Sequence, residues 1–450
     1  MKKFFGDYKF YKMILLLALP IMFQQLITAL VSLIDNIMIG SVGDIALTSV
    51  TVANKPFIIF QSLMFGVSGA AGIFIAQFYG AKNHEKAQRS FDINIIMALS
   101  IAAILTLLFF LVPQNIIELF TKTPTIVKNA MTYIKIMRFA FIPYAISLTC
   151  MMSLRNVGIV KVQLGASTTA VIINTFLNYC LIFGNFGFPK LGIQGAAIAT
   201  LVARVIEMVL YIIILNRNNY FIKIKIKEIF QPEMMLFKRI IQRGYPVIVN
   251  EVAWSLGTSL IFLSYLRCDE YMVAAISVVD TVANLMFVFF GGLSSAVAIC
   301  IGANLGANKI EEAKDNSYKL IGFSVILTSL VAIIVFVITP YIPLLYNLSP
   351  DINNAIIKCI HIRCITIIPA GISLTVFFTL RAGGDTKNTL LLDSGFLWCG
   401  GVLVSTILSI YTNISLVNLY ACVELLEILK LAVSLRFYNK GKWLKNITEG

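Results

Sequence analysis

Residues 14–40 read ILLLALPIMFQQLITALVSLIDNIMIG. The run is apolar for longer than the roughly 20 residues a helix needs to cross a ~30 Å hydrocarbon core. Two of its residues do not suit a plain span. Pro20 lacks a backbone N–H and predicts a helix bend, or support from a neighbouring helix. Asp35 places a carboxyl near the far end, where a charge costs on the order of 2.5–3.5 kcal/mol unless water or a partner relieves it. Two readings stay open for Asp35. It reaches the outer interface just before Gly40, or it is kept inside for use.

The rest of the chain has the same character. Of 450 residues, 58% are hydrophobic and 13% charged, with a mean hydropathy of +0.87. A soluble domain averages about 45–50% apolar and about 25% charged, so this composition predicts a polytopic, all-α membrane protein. The net charge of +14 would suggest a nucleic-acid partner in a soluble chain. Here the cations sit in short segments between apolar runs, which is the pattern of the positive-inside rule, and no nucleic acid is expected. The first run is too long for a signal-peptide core and has no small-residue cleavage site behind it. The eight cysteines fall almost entirely inside apolar runs with no Cys-x-x-Cys pair, and read as small buried hydrophobes. With His84 and His361 far apart, neither a metal centre nor a cofactor is expected. A membrane-embedded enzyme would need a nucleophile–base pair, and none is visible.

Apolar runs recur at 14–39, 46–78, 91–112, 131–153, 163–183, 191–215, 245–266, 272–304, 317–339, 356–379, 389–411 and 415–437. That makes twelve spans. Cations gather in alternate segments, from Lys9 and Lys12 through Lys82, Lys86 and Arg89 to Lys440, Lys442 and Lys445. The bias predicts both termini in the cytoplasm and a multi-pass protein of the cytoplasmic membrane. The longest polar segment predicts a division into a six-helix lobe over 1–215, a basic cytoplasmic connector over 216–243, and a second six-helix lobe over 244–450. The connector is either a plain link or an arm lying on anionic headgroups.

The two halves are copies. Pro20 and Pro246 lie 226 residues apart, and the same offset pairs Gly80-Ala81 with Gly306-Ala307, Pro124 with Pro350, and Pro143 with Pro369. It also pairs Leu154-Arg155 with Leu380-Arg381, Gly158 with Gly384, and Lys161 with Lys387. Six spans per copy is an even number, so both copies have one orientation and an axis along the membrane normal should relate them. Such a repeat points to a transporter with its substrate path between the copies.

Polar residues within spans are few. Asn174 and Asn178 are four apart and share one helix face. If the first, fifth and sixth spans pack together, Asp35, Asn174, Asn178 and Thr200 converge. Their oxygens suit a hard cation, and the carboxyl suits proton exchange. The plainer reading is that the two asparagines join helices by hydrogen bonds. Arg204 with Glu207, and Glu427 with Lys430, are i,i+3 pairs expected to serve as structural ion pairs. Glu251 and Asp280 have no partner in sequence and are secondary candidates for cation binding in the second copy.

Together, LPIMFQQL…LIDNIMIGSVG, IAQFYGAKNHEKA, LRNVG…K, NTFLN followed by IFG, and GIQGAAIAT resemble the multidrug and toxic compound extrusion (MATE) family over nearly the whole chain. The resemblance implies two lobes in a V, a central cavity, and drug efflux driven by Na⁺ or H⁺. It places Asp35 at the coupling carboxylate of one branch of the family, Asn174 at the first member of that branch's N-x-x-x-D motif, and Thr200 at its sixth-helix threonine. Asn178 departs from the motif, whose second member is usually Asp. Glu251 is a loose counterpart of the seventh-helix acid of another branch. The expected function is therefore a cation-coupled antiporter, working as a monomer in contact with membrane lipids, that exports amphipathic, cationic organic compounds. The alternative is a flippase for lipid-linked saccharides, which would need several free cations to hold a pyrophosphate.

Overall fold

The structure, a computed structural model, describes residues 4–217, 220–229, 231–269, 272–345 and 349–448. Residues 218, 219 and 230 of the expected connector lie outside these. The described residues form twelve long helical segments. In chain order they are α1 (Tyr8–Gly40), α2 (Asp44–Gly80), α3 (His84–Leu111), α4 (Pro124–Asn156), α5 (Lys161–Phe183) and α6 (Ile193–Arg217). The second set is α7 (Met234–Cys268), α8 (Val273–Gly306), α9 (Ile310–Ile338), α10 (Pro350–Ala382), α11 (Thr386–Tyr411) and α12 (Leu416–Asn439). A chain this apolar has no water to satisfy its backbone inside a bilayer, so helices that close their own hydrogen bonds are the available spanning structure.

Eleven of these helices are long and apolar enough to cross a membrane. The exception is α12, which reaches 24 residues but carries Glu424, Glu427, Lys430 and Arg436. Three of those charges are neutralised by partners described below. The last ten residues of the expected connector, 234–243, already belong to α7. The run MMLFKRIIQR holds no β-turn residue before Gly244 and is made largely of good helix formers.

The repeat shows in local geometry. Pro124 and Pro350 each sit in the first turn of their helices, where a missing N–H costs nothing. Lys82 and Asn308, again 226 apart, both adopt left-handed backbone just after α2 and α8, as do Gly158 and Gly384 after α4 and α10. The copies also differ. A 3₁₀ turn at Arg138–Ala140 interrupts α4, whereas α10 runs unbroken through Pro369. Likewise α1 continues helically through Pro20 and α7 through Pro246.

By internal packing the chain forms two compact units. One comprises Met1–Met22, Ala76–Lys82 and Tyr245–Gly450, and the other Phe23–Ile75 and Asn83–Gly244. In the first, α10 packs against α8, α9 and α12 around buried Ile276, Met286, Ile356, Ile360 and Leu419. In the second, α5 packs on α6, α6 on α4, and α4 on α3. The stretch after α6 docks on the start of α3. Gln88 donates to Lys223 O and accepts from Lys223 N, both at 2.8 Å, while His84 lies against the Phe221 ring. Of the eight cysteines, all free thiols, five are buried, but Cys399 is exposed, contrary to the expectation from its apolar run.

Candidate coupling site

Four residues named from the sequence meet in the unit that holds α3 to α6. Asp35 comes from the end of α1, Asn174 and Asn178 from one face of α5, and Thr200 from α6. Asn174 and Asn178 are 8% and 1% exposed, and Asp35 is half-buried. Asn178 Nδ2 donates to Asp35 Oδ1 at 2.8 Å. With its nitrogen toward the carboxylate, the Asn174 amide donates to Asp35 Oδ2 at 2.8 Å and accepts from the Thr200 N–H at 3.2 Å. Turned over, its nitrogen reaches Thr200 Oγ1 at 3.4 Å and its oxygen accepts from Asn178 Nδ2 at 3.5 Å. The first arrangement makes the shorter bonds, so both carboxylate oxygens receive an amide. One amide can therefore offer the site either a donor or an acceptor.

Two oxygens here have capacity to spare. Asn178 Oδ1 is buried with no hydrogen-bond partner, which few native side chains tolerate without a reason. Thr200 spends its hydroxyl proton on Ala196 O at 3.0 Å, which leaves its lone pairs to face Asn174. Carboxylate, amide and hydroxyl oxygens are the donor set of a hard cation such as Na⁺. Among the described residues no group of three or more His, Cys, Asp or Glu side chains could hold a metal ion. Tyr133 on α4, 4% exposed, lies against Asn54 and Thr200 and closes the site on that side. The sequence reading missed it, because an aromatic residue in a span usually means packing.

The same unit holds a further polar network. Ser167 Oγ donates to Glu207 Oε1 at 2.9 Å, and Arg204 Nη1 donates to Glu207 Oε2 at 2.9 Å. The Arg204 guanidinium also lies over the Tyr144 ring at 5.0 Å. Arg155 donates to Gln163, which donates to Gln24, which in turn reaches Thr28.

The other unit treats its acids differently. Glu251 on α7 is not unpaired, as its sequence context suggested. Arg381 at the end of α10 donates to it at 2.9 Å, which makes it one half of an ion pair. Lys430 pairs more closely with Asp393 on α11, at 3.2 Å, than with Glu427 in its own helix at 3.6 Å. Asn250 Nδ2 donates to the second Asp393 oxygen at 3.0 Å, and Ser394 fixes the Asn250 side chain from the other side. Arg363, which the sequence reading passed over, donates to Glu424 at 2.6 Å and is joined by Thr366 Oγ1 at 2.8 Å. Asp280 is exposed and has no hydrogen bond or ion pair among the described residues. Around Asp393 the α11 backbone is π-helical, over Leu391–Gly395 and again over Leu397–Val402. Such widened turns re-aim side chains, and they frequently mark functional positions.

Comparison with known proteins agrees with this architecture. The MatE family pattern matches residues 20–180 and again 246–393, beginning at the two repeat-related prolines. A probable multidrug resistance protein NorM of Thermotoga maritima is 25% identical over 439 residues, covering 96% of this chain and 93% of that one. A protein of the same description from Bacillus cereus is 23% identical over 406 residues and covers 89% of each chain. The solved outward-facing conformation of a multidrug resistance MATE family transporter of the MOP superfamily superposes with a TM-score of 0.88 at 18% identity, covering 98% of this chain and 97% of that chain. With a duplicated all-helical fold, membrane-length helices and a family match to both halves, this multi-pass membrane protein belongs to the MatE family of transporters.

Proposed function

We propose that the protein is an antiporter of the cytoplasmic membrane, with both termini inside, that exports amphipathic cationic organic compounds in exchange for Na⁺ or H⁺. The observation that carries this reading is the Asp35 site. A half-buried carboxylate accepts from two asparagine amides, one of which has a buried oxygen without a partner while the other lies against a threonine hydroxyl. When Na⁺ is the coupling ion, Asp35, Asn174, Asn178 and Thr200 supply its oxygens, and the ion supplies the charge that neutralises the carboxylate. When H⁺ is the coupling ion, the proton resides on Asp35 itself. In both cases occupancy removes a charge that is costly in the membrane. A substrate that favours the unoccupied state then competes with the ion through their coupled equilibria, which is the thermodynamic content of antiport. The names of the relatives support a drug-like substrate.

Lipid-linked saccharide flipping fits less well. Arg204, Arg363, Arg381 and Lys430 each hold an acid, so these four are not free to grip a pyrophosphate. The test is purified protein in liposomes loaded with a fluorescent cation such as ethidium, with Na⁺ and pH gradients imposed separately. Gradient-driven dye movement under one of them is expected. No movement over a broad panel of organic cations would exclude the reading.

A further inference from the structure

The end of the molecule that carries both termini is tied together more tightly than connecting segments require. All the residues involved belong to one compact unit. There the last turns of α2 and α8 cross at their repeat-related glycines. A Cβ on Gly306 would fall on Gln77 O, and one on Gly80 would fall on Ala303 O, so only glycine permits this approach. Gln77, fully buried at the end of α2, uses both ends of its amide. Its nitrogen donates to Ala382 O at the end of α10 at 2.8 Å, and its oxygen accepts from the Ile447 N–H at 2.8 Å.

Ile447 lies in the tail that follows α12, and the tail buries two of its side chains. Trp443 and Ile447 are each 1% exposed. The Trp443 indole donates to Tyr438 O at 3.2 Å and stacks on the Tyr438 ring, while its backbone lies so close to Gly383 that a Cβ there would strike it. Asn446 Nδ2 reaches Gly306 O at 3.5 Å, at the helix crossing itself. From Tyr438 the contact continues to Tyr318 on α9 and from Tyr318 to Phe4 in the N-terminal segment, at ring separations of 5.7 and 5.6 Å. Chain ends are ordinarily the least ordered part of a domain unless they are tied down. Here Trp443 and Ile447 anchor the segment after α12 against neighbouring helices while its lysines stay exposed, and Asn446 engages the crossing of α2 and α8.

We propose that residues 440–448 are a strap that holds the termini-side end of the transporter shut, with Gln77 as its clasp, and that the strap must release each time the substrate path opens to that side. The proposal rests on the transport reading, because alternating access requires that end to open once per cycle. Gln77 suits a clasp because one side chain holds an α10 carbonyl and a tail N–H together. Its loss frees both at once.

Two measurements test the strap, in a background with all eight cysteines replaced. The first uses Ser295→Cys, on the face of α8 that carries Gly302 and two turns deeper than it, as a reporter for a membrane-impermeant methanethiosulfonate. Ser295 is 7% exposed, so its modification should be slow with the strap in place. Truncation after Lys442, and separately Gln77→Ala, should each speed it at least about tenfold, the factor that 1.4 kcal/mol carries. An unchanged rate in both overturns the proposal. This readout needs no substrate, so it stands even if the export reading fails. The second joins Gln77→Cys to Ile447→Cys with a bifunctional methanethiosulfonate. The joined protein should lose dye transport and regain it with dithiothreitol. Transport that persists while joined also overturns the proposal.

Discussion

Each copy pairs a span carboxylate with an asparagine amide, and in both the partners lie 143 residues apart. In the first copy the acid, Asp35, is on the first helix and its amides are on the fifth. In the second copy the order is reversed, with the amide of Asn250 on α7 and the acid, Asp393, on α11. The decisive difference is what else touches the acid. Asp393 has a lysine ammonium from α12 at 3.2 Å, whereas among the described residues Asp35 has amides and no ammonium or guanidinium within hydrogen-bonding distance. A tethered ammonium supplies at Asp393 the positive charge that a coupling ion would have to supply at Asp35. One copy thus carries its own neutraliser, and on the proposed antiport reading the other takes that charge from an ion it can exchange. On the antiport reading, the difference teaches which copy is suited to respond to a gradient.

Removing the tethered charge tests that contrast most severely. Lys430→Met leaves the partly buried Asp393 with Asn250 as its remaining hydrogen-bond partner among the described residues. Breaking a fully buried pair in this way costs roughly 3–5 kcal/mol, and this partly buried one should cost less. Thermal unfolding in detergent should show a clear loss for Lys430→Met and recovery of most of it in Lys430→Met/Asp393→Asn. Equal losses in the single and double variants would mean that the lysine neutralises something else.

Asp35→Asn should do the opposite. It removes a costly charge, so folding and membrane insertion should survive, while gradient-driven efflux should fall roughly 100-fold, towards the upper end of known coupling free energies. Wild-type efflux from this variant under the same gradient would move the coupling site elsewhere, with Asp280 the first place to look. A smaller effect is expected from Asn178→Asp, which gives the site a second carboxylate. The added charge should lower the half-saturating Na⁺ concentration by about tenfold, worth ~1.4 kcal/mol. An unchanged or higher concentration would show that Asn178 does not face the ion.

The first copy's site could be read from the chain because its parts lie in short-range register. Asn174 and Asn178 are one helical turn apart, and a lone acid in a long apolar run stands out. The i,i+3 rule found Arg204 with Glu207 for the same reason. It gave Lys430 a secondary partner, because the closer one sits on another helix. Arg363 with Glu424 and Arg381 with Glu251 were invisible for that reason too, since each pair is 61 or 130 residues apart. The π-helical turns of α11 add a second obstacle. They break the 3.6-residue period on which any reading of helix faces depends, and only the glycines at 395, 400 and 401 hint at them. The fold was far more legible than the sites, because span length and a constant 226-residue offset survive any detail of packing.

The smallest expected effect concerns Thr200, and it also sorts the two coupling ions. Its hydroxyl donates within its own helix to Ala196 O, and the buried Tyr133 hydroxyl keeps Asn54 as a partner when Thr200 is lost, so Thr200→Val should fold normally. What the variant removes is one oxygen facing Asn174. If Na⁺ couples transport, that oxygen belongs to the ion's coordination, and its loss should raise the half-saturating Na⁺ concentration about fivefold, near the ~1 kcal/mol of one polar contact, with the maximal efflux rate unchanged. Thr200→Ser should restore it. If H⁺ couples transport, the proton binds one carboxylate oxygen and Thr200 is a bystander, so the pH dependence of efflux should stay where it is in the wild type. A fall in maximal rate that serine does not rescue would contradict both, and would make Thr200 a packing residue between α5 and α6. Because the valine is nearly isosteric with threonine, the comparison changes the donor set of the site while leaving the shape of the helix contact in place.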